Sequence, residues 1–367
     1  MAGAICGKRV LMLAPAFMAD RRHKRVHGVE LFNFLLVRRL VELGVRVTLA
    51  AEPRWREGFA EHFAGVGQGL EVVYGLPLSR PLPVSLSLVP GLLRRGPYDL
   101  VVLGNNGRGV LPAARAVLRW GQKPRARCVL FAHQYAVERY LRALRPMRIE
   151  VHCVSEAIAA DFRRVRRWPV SVGYGILNAD RFYPVPQGGA GVVSRPVRFG
   201  VVGTLDAPDK GAHLALEAWE RLSDVVRGRA ELHLLAFKNP PEVRSAGVVL
   251  HNWLPAERMP DFMRSLDVLI VPSVAAESFS QVAVQGMLTG LPMLAYPLPA
   301  LAEKLDTGGG AVFKTGAELA ALVERLVLEP GLRERMGEIA RRTALERYCF
   351  SAEAFAERFL GPAATAG

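Results

Sequence analysis

The sequence predicts an α/β protein of two doubly wound domains facing across a cleft. Three observations predict it. Short apolar runs with strand character alternate with amphipathic segments along the chain, and parallel strands need such crossovers. The alternation breaks once, over "PVPQGGAGVVSRP" (Pro184–Pro196), where prolines and glycines replace any apolar period. The chain has 367 residues, enough for two cores of ordinary size. The expected division is 1–183 for the first domain, 184–348 for the second, and 349–367 for a closing helix that crosses back to the first.

The elements follow in order. "RVLMLAP" (Arg9–Pro15) reads as a buried strand. Val29, Phe32, Leu36, Leu40 and Leu43 then recur at helical spacing, with Gly44 as the stop. "VRVTLAA" resumes as a strand. "YDLVVLG" (Tyr98–Gly104), "RCVLFAH" (Arg127–His133) and "IEVHCVS" (Ile149–Ser155) are further strands, and "VLPAARAVLRW" and "EAIAADFRRV" are helices, the latter capped by Ser155. Beyond the break, "VRFGVVG", "AELHLLAF", "LDVLIVPS" and "PMLAYP" read as strands. "GAHLALEAWERL", "GAELAALVERLVLE", "GLRERMGEIARRTALERY" and "SAEAFAERFL" read as helices. No short-period repeat is present, which excludes a solenoid.

Composition narrows the class. Half the residues are apolar and 22% are charged, a globular balance. Apolar runs such as Val268–Val271 fall far short of the roughly 20 residues a membrane helix needs. The N-terminus reads as a strand, so no secretory leader is expected and a cytoplasmic location is. Cys6, Cys128, Cys153 and Cys349 show no metal-ligand spacing and read as reduced thiols. Residues 1–183 hold 29 Lys and Arg against 13 Asp and Glu, a net +16, while the remainder is net −2. So uneven a field points the first half at an anionic partner. The densest basic runs, Arg21–Arg25 and Arg163–Trp168, are either solvated faces or contacts for anionic lipid head groups. No aromatic stacking platform accompanies them, and no nucleic-acid partner is expected.

Two loops carry candidate chemistry. After strand "LDVLIVPS", "AESFSQVAVQGMLTGLP" turns into a helix near Ser278–Ser280, with Ser278–Gln281 able to form a capping box. A helix start at the carboxyl end of a strand suits a phosphate. The second loop, "GVVGTLDAPDKGAH" (Gly200–His213), ends a strand at Gly203 and brings Lys210 to the start of the next helix. There its ammonium opposes the helix dipole unless an anion binds. Both loops also have an ordinary reading, as crossovers with a solvated lysine. In the first half, His133 stands at a strand's carboxyl end and reads either as a structural histidine or as a hydrogen-bonding group at the cleft. Gly28 stands where the first loop enters its helix, and Asn105 and Asn106 lie on the same rim. "GVGQG" (Gly65–Gly69) precedes a strand, the reverse of a dinucleotide fingerprint.

The stretches "FGVVGTLDAPDKG", "LDVLIVPSVAAESFSQVAVQGMLTGLPMLAYP" and, more weakly, "YGILNADRFYP" resemble the donor domain of the retaining GT-B glycosyltransferases of the large family 4 group. The likeness is good from Tyr174 to Lys304 and loose over residues 8–173. It implies a GT-B fold and transfer of a sugar from a nucleotide-sugar, bound to the second domain, to an acceptor held by the first, with anomeric configuration retained and no metal or other cofactor. Glu277 would contact the donor sugar, Lys210 would neutralise the departing diphosphate, and backbone groups over Phe279, Ser280, Gln281 and Val282 would hold phosphate or sugar hydroxyls. An anionic glycolipid or polysaccharide acceptor and a role in cell-envelope glycan synthesis fit the charge.

Two positions depart from the pattern. After Gly203 the family usually has arginine, and here Thr204 stands. Eight residues after Glu277 it usually has a second glutamate that grips the ribose, and here Gln285 stands. An arginine–phosphate contact contributes roughly 1.5–3 kcal/mol, of which a hydroxyl recovers part. Glutamine keeps one acceptor and adds a donor. Three readings remain open: an active transferase with retuned donor binding, for example towards a deoxynucleotide; a non-catalytic module that binds a sugar, nucleotide or partner enzyme; and a protein that binds an anionic polymer.

Overall fold

The computed structural model describes residues 5–14, 28–53, 56, 63, 65–75, 87–104, 108–165, 167–173, 175, 178–184, 195–236, 245–275 and 277–361. The chain forms two compact units, Met1–Leu177 with Phe350–Gly367, and Asn178–Cys349.

In the first unit, β1 (Arg9–Leu13), β2 (Arg46–Ala51), β3 (Leu70–Tyr74), β4 (Tyr98–Leu103), β5 (Gln122–Ala132), β6 (Glu150–Cys153) and β7 (Val170–Val172) make one parallel sheet in the order β3-β2-β1-β4-β5-β6-β7. Its helices are α1 (Gly28–Glu42), α2 (Val89–Arg95), α3 (Leu111–Trp120), α4 (Glu138–Leu144) and α5 (Glu156–Arg163). Helix α1 buries Phe32, Leu36 and Leu40 of the predicted stripe, together with Val37 and Val41, while Val29 and Leu43 are half-buried. Ser155 caps α5 by accepting the Ile158 amide.

The second unit has β8 (Val197–Gly203), β9 (Ala230–Ala236), β10 (Val248–Asn252), β11 (Val268–Val271), β12 (Met293–Ala295) and β13 (Gly310–Val312), all parallel, in the order β10-β9-β8-β11-β12-β13. Its helices are α6 (Ala212–Arg221), α7 (Asp224–Arg227), α8 (Met259–Arg264), α9 (Gln281–Leu288), α10 (Pro299–Ala302), α11 (Gly316–Leu328) and α12 (Pro330–Arg347). Phe199, Trp219, Leu232, Ile270 and Phe313 lie in its core. The chain leaves β8 for β9 on one side and later returns to β11 on the other. The loops after β8 and β11 therefore sit at the switch point of the strand order, where doubly wound sheets bind ligands.

The division between the units falls at Asn178, ahead of Pro184, because Phe182 is buried in the second unit and its carbonyl accepts from Arg341 on α12. Most of the Pro184–Pro196 segment lies outside the described residues. The closing helix α13 (Ala352–Leu360) belongs to the first unit, where Phe355 and Phe359 join the α1 and β5 side chains. The short elements α2, α4, α8, β7 and β13 have too few residues to show a period.

Candidate functional site

The loop after β8 begins at Gly203, whose φ of 154° leaves open space where a Cβ would stand. Thr204 follows, half-buried, and Leu205 anchors the turn in the core. Lys210 is not in the first turn of α6, as the sequence led one to expect. It ends a separate 3-10 turn, Pro208–Lys210, and Gly211 caps α6 with φ 67°. The reason is steric: a Cβ on Gly211 would stand 1.9 Å from the Pro272 carbonyl oxygen. Only glycine lets this loop lie so close to the end of β11.

That closeness joins the two loops. The amides of Val274 and Ala275 donate to the Asp209 carbonyl at 2.9 and 3.3 Å. Lys210 Nζ then donates to Glu277 Oε1 at 2.7 Å, and Ser273 Oγ donates to the same oxygen at 3.0 Å. The lysine side chain is 36% exposed and the glutamate 16%. Ion pairs near the surface contribute about 0–1 kcal/mol.

Helix α9 begins at Gln281. The capping box expected over Ser278–Gln281 does not form: Ser280 is the N-cap with φ 61° and ψ 84°, and its side chain makes no capping bond. A capping serine needs extended backbone to aim its hydroxyl at the first-turn amides, and Ser280 is left-handed instead. It is the sole non-glycine residue with positive φ among the described residues. Such conformations cost on the order of 1–3 kcal/mol and cluster at ligand sites. Gln281 and Val282 make the first turn of α9. Phe279 is buried beside them, and Gln285 is buried one turn further along.

One residue of this region was not a candidate in the sequence. Lys304 is fully buried. Its ammonium donates to the Ala300 carbonyl at 2.8 Å and lies 4.7 Å from the centroids of both the Phe279 and Tyr348 rings. Burial lowers its pKa to about 8, with Glu303 and Glu277 acting in the opposite direction. The only hint in the sequence is a lysine in phase with Ala300 and Leu301.

The remaining candidates lie in the first unit. His133 follows β5, is buried against Phe32 and Phe131, and has Nε2 without a hydrogen-bond partner among the described residues. Burial lowers its pKa to about 3, helped by His152, itself lowered to about 4 mainly by burial. His133 is thus a neutral hydrogen-bonding group and not a titrating acid at physiological pH. Gly28 is the first residue of α1. Asn33, on the same helix, donates from Nδ2 to the Gly104 carbonyl, a tie that sequence reading missed because an asparagine between phenylalanines has no period. Asn105, Asn106, Tyr174 and the Arg21–Arg25 run lie outside the described residues. In the second basic run Arg163 pairs with Glu156, Arg164 pairs with Asp161, and Trp168 is buried.

His233 and His251 hydrogen-bond at 2.9 Å across β9 and β10, and Glu231 holds the other nitrogen of His233. Among the described residues no cluster of three His, Cys, Asp or Glu is placed to hold a metal ion, and no helix is long and apolar enough to cross a membrane.

Residues 196–329 match the family model described as glycosyl transferases group 1. A 2-deoxystreptamine glucosyltransferase of Streptomyces kanamyceticus is 31% identical over 161 residues, 40% of this chain and 39% of that relative's length. Among solved structures, HepE of Anabaena in complex with UDP-glucose superposes with a TM-score of 0.70 at 18% identity, covering 96% of this chain and 98% of that one. Sucrose-phosphate synthase of Thermosynechococcus elongatus gives 0.68 at 16%, covering 96% and 97%. WaaG, a glycosyltransferase involved in lipopolysaccharide biosynthesis, gives 0.65 at 15%, covering 96% and 100%. The fold is GT-B.

Proposed function

We propose that this chain, a GT-B protein whose residues 196–329 form a group 1 glycosyltransferase domain, moves a hexosyl group from a nucleoside-diphosphate sugar to an acceptor hydroxyl with retention. The observation that carries the reading is the Lys210–Glu277 pair, 2.7 Å apart at the switch point of the second sheet. A diphosphate at Lys210 and at the first-turn amides of α9 releases Glu277 to accept hydroxyls of the sugar. As the bond to the anomeric carbon breaks, negative charge gathers on the leaving phosphate, where an ammonium and fixed backbone dipoles stabilise it. The reading involves no resident metal or cofactor. UDP is the first nucleotide to try, because HepE was solved with UDP-glucose. Acceptor recognition falls to the basic first unit, with His133 as a neutral hydrogen-bonding group, and suits an anionic glycolipid or polysaccharide of the cell envelope. Peripheral contact with the membrane's cytoplasmic face follows from the same charge.

The test is a thermal-shift series with UDP, GDP, ADP, dTDP and their glucose conjugates, followed by donor hydrolysis without acceptor. Ligand at 100 times its Kd should stabilise the protein by about 2.7 kcal/mol. Glu277→Ala should lower hydrolysis by on the order of 10²-fold or more while leaving nucleoside-diphosphate binding largely intact. Thr204 and Gln285 favour one other reading, a binding module without turnover. It predicts the same thermal shift with no hydrolysis by the wild type.

A further inference from the structure

Taking an ammonium out of water is costly, and lysine is almost never fully buried without compensation. Lys304 is fully buried in phase with Ala300 and Leu301, where an aliphatic side chain would fill the same space without desolvating a charge. Its surroundings are specific. Nζ donates to the Ala300 carbonyl, Glu303 Oε1 is 3.4 Å away, and the ammonium faces the rings of Phe279 and Tyr348, which meet edge to face at 6.4 Å. The Tyr348 hydroxyl donates to the Glu303 carbonyl at 3.0 Å, which fixes that ring. Phe279 stands between Glu277 and the left-handed Ser280, in the loop that leads into α9.

We propose that Lys304 is a positioning residue of the donor-phosphate site. Its ammonium grips Phe279 through the ring face, holds the 277–281 loop in the conformation that presents Glu277 and the start of α9, and adds a buried positive charge close to the phosphates. The inference deepens the donor-binding reading above and rests on it. A cation over a desolvated aromatic face is among the stronger contacts of its kind, and here one cation serves two rings. The ionisable groups that face it are Glu303, Glu277 and Tyr348. With a pKa lowered to about 8 by burial, the side chain loses its charge just above neutral pH, so the grip on Phe279 should weaken there. The terminal phosphate of a nucleoside diphosphate ionises near about pH 6, and the ring N–H groups of UDP, GDP and dTDP ionise only above about pH 9, so between them the ligand does not imitate the effect.

The experiment is calorimetric titration of the full chain with UDP, GDP, ADP and dTDP. Affinity for the tightest binder is followed from about pH 7 to about pH 9, below the ionisation of the bases. Wild-type affinity should fall by about fivefold across the window, centred near 8. Lys304→Met should already be about tenfold weaker at neutral pH and should show no pH dependence, while melting at or above the wild-type temperature. Phe279→Leu should be comparably weak, and the double variant no weaker than either single one, because both substitutions break the same contact. A wild-type affinity that is flat in pH, Lys304→Met at wild-type affinity, or additive losses in the double variant would overturn the inference. If Lys304→Met does not fold, the wild-type pH profile and Phe279→Leu decide alone. Absence of binding by any of the four nucleotides overturns the donor reading itself, a different outcome from binding without pH dependence.

Discussion

Glu277 and Lys210 neutralise one another across 2.7 Å, and Ser273 shares the load on the same carboxylate oxygen. An arrangement of this kind keeps two charged groups ordered and exchangeable, since a partly exposed pair contributes little and gives way to a better partner. In the proposed function, the positions around it set how strongly a donor is held. Thr204→Arg restores a forked cation after Gly203 and should tighten nucleoside-diphosphate binding by roughly 1.5–3 kcal/mol. Gln285→Glu should tighten a ribonucleotide by about 1 kcal/mol through a charged acceptor and a deoxyribonucleotide by less. Titration of both variants with UDP and dTDP checks this, and equal gains for both sugars would remove Gln285 from ribose recognition.

Elements fail where a residue has a single permitted identity. Gly211 is left-handed, and a Cβ there would press on the Pro272 carbonyl that ends the neighbouring strand. Gly211→Ala should therefore destabilise the second unit by about 2–4 kcal/mol and separate the Lys210 loop from the Glu277 loop, seen as a lower melting temperature with donor binding lost. In the first unit, β5 and β6 bury His133 and His152 as neutral rings with pKa values lowered to about 3 and about 4. In the unfolded chain both titrate near 6.5. The unfolded state therefore binds more protons below that pH. Stability is full above about 6.5 and drains away as pH falls towards 4 and 3, by about 1.4 kcal/mol per pH unit for each ring. His133→Phe should make melting temperature less dependent on pH in this window, and a slope like that of the wild type would refute the buried-neutral assignment.

The whole chain carries its positive charge in residues 1–183 and is nearly neutral beyond them. That distribution predicts adsorption to vesicles containing anionic lipid at low ionic strength, worth about 1 kcal/mol for each basic residue near the surface. Release is expected towards 1 M salt, where the screening length is about 3 Å. Co-sedimentation with phosphatidylglycerol and phosphatidylcholine vesicles tests it, and equal binding to both would leave the charge without a membrane role. Part of the Arg163–Trp168 run is already paired within its helix, so the contribution of that run should be smaller than its charge count.

The sequence by itself determined the two-unit α/β plan, because strand and helix periods are local properties that survive without neighbours. It also marked out the two loops that the proposed function uses, since Lys210 and Glu277 sit in stretches whose turn residues and strand ends are legible one at a time. Tertiary structure alone decided how they meet. The left-handed bend at Gly211, the left-handed Ser280 that displaces the expected capping box, and the bond from Ser273 each depend on a neighbour distant in sequence or on backbone geometry that residue identity does not fix. Lys304 makes the same point most sharply. A lysine flanked by Glu303 and Leu305 gives no sign of burial until two aromatic rings, one of them 44 residues further along the chain, are seen to close over it.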